Sequence, residues 1–444
     1  MSLRTTFAAI LSASLMTVWA QPAAAISLIR DAEIEATLRA LAAPIFSAAG
    51  LAPDAVDMIV LSDPRPNAFV FGGRKMAITT GLIQDMNGPT ELQAVMAHET
   101  GHITGGHLAR RAIAERNMRG PAAIAMLIGI AAAAAGGGAA GGLMAGVGAQ
   151  STLQRALLAF SRSEESAADQ AALSFLEQAG INPDGMTKVL ERFRGQEVFS
   201  AATRDPYVST HPISAARMSL IERRTRESPY AGRPAAPEDV YRFNRMRAKL
   251  DGFLNAPRAT LRTPLKPRDE LDMLRHAVAL HRKPAPDEAI ALAQALIAQR
   301  PSDPFYHELL GQFMLESGRG SAAVAPYREA ARLAPEEPLI RAQLGRALLT
   351  VGTAQADAEA VAALEAGAAA SDGGDPSVLR DLAFAYARAG DEGRAALATA
   401  ERLALIGSVR DARYQAGRAK TMLPQGSPEW LRADDIVASL RPID

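Results

Sequence analysis

The chain has 444 residues, 48 basic and 48 acidic side chains, and no cysteine. That length allows two or three domains with ample core in each. The charge balance offers no basic field for nucleic acid, and the lack of cysteine excludes a disulfide framework and lipid attachment through a thiol.

In chain order, Met1-Ser2-Leu3-Arg4 precedes an apolar run from Phe7 to Ala20, and small residues Ala23-Ala24-Ala25 lead to Ile26. This is the pattern of a secretory signal over residues 1–25, cleaved after Ala25 or alternatively after Ala20. The run is short for a membrane anchor. Export without cysteine fits a bacterial envelope protein in the periplasm. Further on, Asn67-Ala68-Phe69-Val70-Phe71 and Lys75-Met76-Ala77-Ile78-Thr79 are rich in aromatic and apolar positions around Gly72-Gly73, and predict a hairpin. Its outer strand is either an ordinary structural strand or one free to pair with an extended substrate backbone, which makes Asn67, Ala68 and Phe69 candidate substrate contacts.

His98-Glu99-Thr100-Gly101-His102 carries the chemistry. On a helix, histidines at i and i+4 share one face, so both imidazoles reach one tetrahedral Zn²⁺. Glu99 is offset from that face, beside the metal's open position, where it can take a proton from water and pass it to a leaving amine. Leu92, Val95, Met96 and Ile103 recur at helical spacing, and no proline interrupts Glu91 to Arg116. A catalytic zinc needs a third protein ligand. The last histidine of the longer pattern H-E-x-x-H-x-x-G-x-x-H falls on Leu108, so His107 is out of register and reads as a supporting or surface residue.

Residues 121–150 contain no charge, and Gly136-Gly137-Gly138 and Gly141-Gly142 divide their few large apolar residues. Alanine and glycine drive membrane insertion weakly. A pliable lid touching clients or a membrane surface is expected, with a buried helical hairpin or a true span as alternatives. Glu165 and Asp169, in Ser161-Arg162-Ser163-Glu164-Glu165-Ser166-Ala167-Ala168-Asp169, stand at i and i+4. They supply a third zinc ligand and an aspartate that orients a ligand histidine, unless the run is a solvated helix face. Glu164 points aside and reads as exposed or supporting.

These motifs resemble those of zinc metallopeptidases of the HtpX and CAAX-prenyl-peptidase type, which join H-E-x-x-H to a downstream S-R-x-x-E-x-x-A-D helix. Residues 67–82 are similar to the family's strand pair beside the cleft, and His211-Pro212-Ile213-Ser214-Ala215-Ala216-Arg217 to its H-P-x-x-x-x-R element. The resemblance implies His98, His102 and Glu165 as ligands of one zinc per chain. It makes His211 either a fourth ligand that keeps the enzyme latent or a transition-state or structural residue, and Arg217 a substrate or oxyanion contact or an ion-pair partner.

Residues 221–270 are rich in charge and proline and read as connector helices, with an amphipathic stretch from Val240 to Leu250. From residue 271 a tetratricopeptide pattern follows: Leu310-Gly311, Leu344-Gly345 after 34 residues, and Leu382-Ala383 after 38 more. An atypical helix between Pro284 and Arg300 belongs to the capping pair in front. Stacked helix pairs present a concave docking face. The expected fold is mainly α, of α+β type: a zincin-like metallopeptidase domain over 26–220 with a small sheet, then an all-α solenoid over 271–444. The whole resembles the periplasmic, BepA-type branch of the family. That implies unfolded or misfolded envelope proteins as substrates and the outer-membrane barrel-assembly machinery as a partner through the repeats. Two rival functions remain at this point, a client-binding chaperone or scaffold with a latched zinc site, and a membrane-embedded peptidase if 121–150 spans the bilayer.

Overall fold

The computed structural model describes residues 27–72, 74–107, 162–195, 206–369 and 375–439. The expected signal segment 1–25 and the Ala/Gly-rich stretch 121–150, on which the membrane-embedded alternative rests, lie outside them. Among the described residues, no helix is long and apolar enough to cross a membrane.

The sheet has four strands, β1 (Ser27–Ile29), β2 (Asp57–Ser62), β3 (Ala68–Phe71) and β4 (Lys75–Thr79), in the order β1-β2-β4-β3. β2 and β4 are parallel, and β3 folds back antiparallel on β4 with Ala68 opposite Ile78 and Phe71 opposite Lys75. The expected hairpin is therefore present. Gly72 turns it at φ +57°, a conformation that favours glycine. Because β3 is last in the sheet, its outer edge is left unpaired by any strand of the sheet.

Three helices pack against the sheet. Helix α1 (Ala32–Ala48) starts at Asp31, whose side chain accepts from the Ile34 N–H at 3.0 Å. It buries Leu38, Leu41 and Ile45 in the core that includes Val60 and Ile78. Helix α2 (Thr80–Asp85) leads from β4 to α3 (Pro89–Thr104), which begins on Pro89 where a missing N–H costs nothing. The apolar positions read from the sequence, Leu92, Val95 and Met96, are fully buried. The helix ends earlier than the proline-free run to Arg116 suggests: it closes at Thr104, and Gly106 takes φ +62°. Helix α4 (162–178) crosses α3 closely, because a Cβ on Gly101 would lie 2.8 Å from the Ala168 carbonyl oxygen. Helices α5 (Asp184–Arg192), α6 (Pro206–Thr210) and α7 (Ala215–Glu227) follow, and Ser214 caps α7.

Helix α8 (Pro237–Leu254) contains the expected amphipathic stretch, and its apolar face, Phe243, Met246 and Leu250, completes the peptidase core. After the short α9 (Pro257–Thr260), helices run in antiparallel pairs: α10 (Glu270–Arg282) with α11 (Pro286–Gln299), α12 (Pro304–Glu316) with α13 (Gly320–Leu333), α14 (Pro338–Leu348) with α15 (Ala354–Ala369), α16 (Pro376–Arg388) with α17 (Glu392–Leu405), and α18 (Val409–Met422) with α19 (Pro428–Ser439). Pair starts keep the repeat register: Asp269, Asp303, Glu337 and Asp375 are the N-cap residues of α10, α12, α14 and α16. The small residues of the pattern sit where paired helices touch, Gly311 against the Tyr327 ring and Gly345 against Leu364. The molecule is mainly helical with one small sheet, as the sequence predicts.

Candidate metal centre

Four side chains from three segments converge on one point. His98 and His102 come from α3, Glu165 from α4, and His211 from the turn between α6 and α7. All are buried, and one nitrogen or oxygen of each lies within 4.8 Å of the others. Nε2 of His98 and Nε2 of His102 are 3.1 Å apart. Glu165 faces both, with Oε2 3.3 Å from His98 Nε2 and Oε1 3.4 Å from His102 Nε2. His211 Nδ1 closes the group at 3.2 Å from Glu165 Oε2 and 3.2 Å from His98 Nε2.

Around this group lies a supporting layer. Asp169, one turn after Glu165, places Oδ1 3.0 Å from His98 Nδ1. Arg217 grips the same aspartate, with Nε 2.6 Å from Oδ2 and Nη2 2.8 Å from Oδ1, and reaches Glu165 Oε2 at 3.1 Å and the Pro212 carbonyl at 2.8 Å. This bidentate geometry suits guanidinium and carboxylate. Of the readings open for Arg217, the ion-pair one matches these contacts. Glu164, for which an exposed position was one expectation, is buried.

Glu99 has no exposed surface. Burial pushes its carboxyl up, against the opposing pull of His211, whose Nε2 is 3.2 Å from Oε1, and of His98. Burial also acts on Glu165, but its hydrogen bonds to His102, His211 and His98 hold it well below the usual carboxylate range. Burial lowers His102 to about 3, whereas for His98 the hydrogen bonds it donates to Asp169 and Glu165 outweigh burial and push it up to about 10.

This arrangement fits a metal cation. Nitrogen and oxygen donors of four buried side chains crowd one small volume, and the fully buried Glu99 carboxylate lies beside them. Isolated buried carboxylates are costly unless a cation compensates them. Two imidazoles and one carboxylate with a second carboxylate alongside is a donor set that suits zinc-type chemistry.

The cleft wall is the β3 edge. The Ala68 carbonyl lies 3.3 Å from His211 Nε2, and Thr210 Oγ1 donates to Asn67 Oδ1 at 3.3 Å. Phe69 and Phe71 lie on the opposite face of the strand to Ala68 and Val70, with ring centroids 5.8 Å apart. Two supporting residues lie behind the histidines: His107, for which a supporting role is one of the two sequence readings, and Tyr207, which sequence reasoning misses. His107 is buried and places Nδ1 2.8 Å from His102 Nδ1. Tyr207 is buried against His211, ring centroids 5.0 Å apart. Tyr207, four residues before His211 on α6, had only its helical offset as a signal.

Comparison with known proteins agrees with this geometry. Residues 28–225 match the model of peptidase family M48. The chain is similar to the beta-barrel assembly-enhancing protease of Yersinia pestis, 27% identical over 391 residues that cover 86% of this chain and 78% of that protein. It is similar to the protease of the same name from Escherichia coli K12, 25% identical over 88% of this chain and 83% of the relative. A shorter match is the mitochondrial metalloendopeptidase OMA1 of Schizosaccharomyces pombe, 30% identical over 40% of this chain and 49% of that protein. The chain is thus a metallopeptidase, similar over residues 28–225 to peptidase family M48.

Proposed function

We propose that this metallopeptidase is a zinc-dependent endopeptidase of the bacterial periplasm that acts on unfolded or stalled envelope proteins, outer-membrane β-barrel precursors among them. The observation that carries the reading is the buried convergence of His98, His102, Glu165 and Glu99 beneath an unpaired strand edge. His98, His102 and Glu165 hold one zinc per chain, which when bound polarises the scissile carbonyl and lowers the pKa of water. Glu99, its carboxyl raised by burial, takes the proton of the attacking water and returns it to the leaving amine. The β3 edge at Ala68 aligns the substrate main chain, a mode that demands little of its sequence and suits unfolded clients. Asp169 and Arg217 position His98 and Glu165. The relatives named for β-barrel assembly match over the repeats as well as the peptidase part, which supports the barrel-assembly machinery as a partner of the repeat domain.

His211 Nδ1 occupies a fourth donor position, the place a catalytic site keeps for water. In this reading the resting enzyme is latched, and cleavage requires His211 to leave. The same contact favours a second reading, a client-binding scaffold with a permanently closed zinc site. Zinc content and cleavage of an unfolded β-barrel precursor, compared across wild type, Glu99→Gln and His211→Ala, separate the two. One zinc per chain is expected, with cleavage raised by His211→Ala and lowered by about 10²-fold or more in Glu99→Gln. Zinc without cleavage in wild type or His211→Ala would favour the scaffold, and a zinc-free protein would sink both.

A further inference from the structure

The inner groove of the repeats, lined by the first helices of successive pairs, changes sign along its length. Its front half is acidic and already filled. Asp303 and Glu308 receive Arg245 and Lys249 of α8, and Glu337 and Asp375 receive Arg39 and Arg30 of the peptidase domain, the last two pairs at 2.6 Å. Residues 30–32 line the groove there beside α12, α14 and α16. Beyond Asp381 the groove turns basic. Arg346 and Arg380 share the single carboxylate of Asp381, at 2.5 and 2.9 Å. Past them a cleft of about 340 Å³ opens between α16, α17 and α18, lined by three arginines, Arg380, Arg402 and Arg418, together with Phe384 and one carboxylate, Glu392. Among the described residues, Arg402 and Arg418 have no carboxylate partner, and Arg418 donates only to the Gln415 side chain. Phe384 is 54% exposed, large for an aromatic side chain within a packed repeat.

We infer that this rear cleft docks an acidic, extended segment of a partner protein, with carboxylates on Arg402 and Arg418 and one large apolar side chain on Phe384. Two observations support that occupant. The cleft continues a groove whose front half binds polypeptide by charge pairing, and its own charge is the opposite of the front half's, so the chain's basic peptidase surface cannot fill it. Guanidinium groups pair with carboxylates in a geometry that adds specificity, and an exposed aromatic ring beside them is the composition of an interface centre. The site is remote in sequence from the metal ligands and requires neither metal nor hydrolysis, so its failure and that of the peptidase reading are separate.

The test uses the full chain carrying Glu99→Gln, so that the probe is not cut, and a fluorescein-labelled peptide Glu-Glu-Leu-Glu-Glu-Phe-Glu-Glu followed by fluorescence anisotropy. Saturable binding is expected, weakened by added salt and reduced about tenfold or more by Arg402→Glu with Arg418→Glu. Arg410→Glu, outside the cleft, should leave it unchanged, and the peptide with lysine in place of glutamate should not bind. The milder pair Arg402→Gln and Arg418→Gln, checked for unchanged helix content, guards against misfolding. Absence of saturable binding, equal binding of the lysine peptide, or full binding by both charge variants would overturn the inference. So would phosphatidylglycerol vesicles that outcompete the peptide, or a wild-type dimer that the charge variants make monomeric, since these assign the cleft to a membrane or to a second copy.

Discussion

His98 is held at both ring nitrogens, and that fixes what it can do. Nδ1 faces Asp169 Oδ1 at 3.0 Å, an acceptor that keeps a proton on that side, so it is the Nε2 lone pair that would be offered to a metal at the point shared with His102 and Glu165. His107 does the equivalent for His102 through their Nδ1 atoms. Asp169 in turn is oriented by Arg217, whose guanidinium is buried and cannot turn to solvent. Asp169→Asn preserves shape but removes the charge that orients and strengthens the imidazole. It should weaken zinc binding about 10–100-fold, the usual effect of losing such a partner, measured by competition with a chromogenic chelator. Thermal unfolding of the zinc-free proteins provides the control. A variant that loses stability without metal and keeps its zinc affinity would leave Asp169 as a clamp for Arg217 alone.

At the scale of elements, the site depends on how closely α3 and α4 cross. Gly101 lies at one of the free positions of the His98–His102 pattern, and a Cβ there would meet the Ala168 carbonyl oxygen at 2.8 Å, a backbone atom that cannot rotate away. Gly101→Ala should therefore force the helices apart, costing about 1–3 kcal/mol as overpacking does, and should lower zinc affinity by displacing Glu165 from the histidines. Urea denaturation and chelator competition measure the two effects; full stability with native affinity would show that the crossing can yield. The candidate ligands were legible because each pair is local: His98 with His102, and Glu165 with Asp169, are one turn apart on their own helices. The need for glycine at 101 was not, since Ala168 on another helix sets it. The end of α3 at Thr104 carries no proline signal. A search for proline misses Gly105-Gly106, where Gly106 at φ +62° ends the helix and returns His107 to the back of His102. The β3–β4 hairpin was readable from its aromatic and apolar runs about Gly72, but its edge position follows from the parallel pairing of β2 with β4, which local pattern does not report.

Across the whole molecule, the repeat register was legible from small residues at spacings of 34 and 38, while the contact that joins the repeats to the peptidase was not. Its partners, such as Arg30 with Asp375, are far apart in sequence. At its centre Lys249 of α8 is buried among three carboxylates, 2.8 Å from Asp31, 3.4 Å from Glu33 and 3.7 Å from Glu308. Burial opposes the ammonium charge, yet these acids hold Lys249 above its usual range. Arg245 engages Glu33 and Asp303 beside them. One ammonium cannot serve three carboxylates equally, and Glu308 is the surplus one: it is farthest from Lys249, its Oε2 has no hydrogen bond, and burial, reinforced by Asp31, Glu33 and Glu316, pushes it up to about 7 against the pull of Lys249. A carboxyl raised in the folded state stabilises below its unfolded pKa of about 4.3, and that stability is lost as pH rises through about 7. Stability should therefore fall between about pH 5 and pH 8 in the wild type through this group. Glu308→Gln cannot ionise, so its stability relative to wild type should increase from the lower pH to the higher one. Urea denaturation of both proteins at the two pH values reads the difference directly, and parallel pH profiles would show that Glu308 stays ionised throughout and that Lys249 balances all three acids.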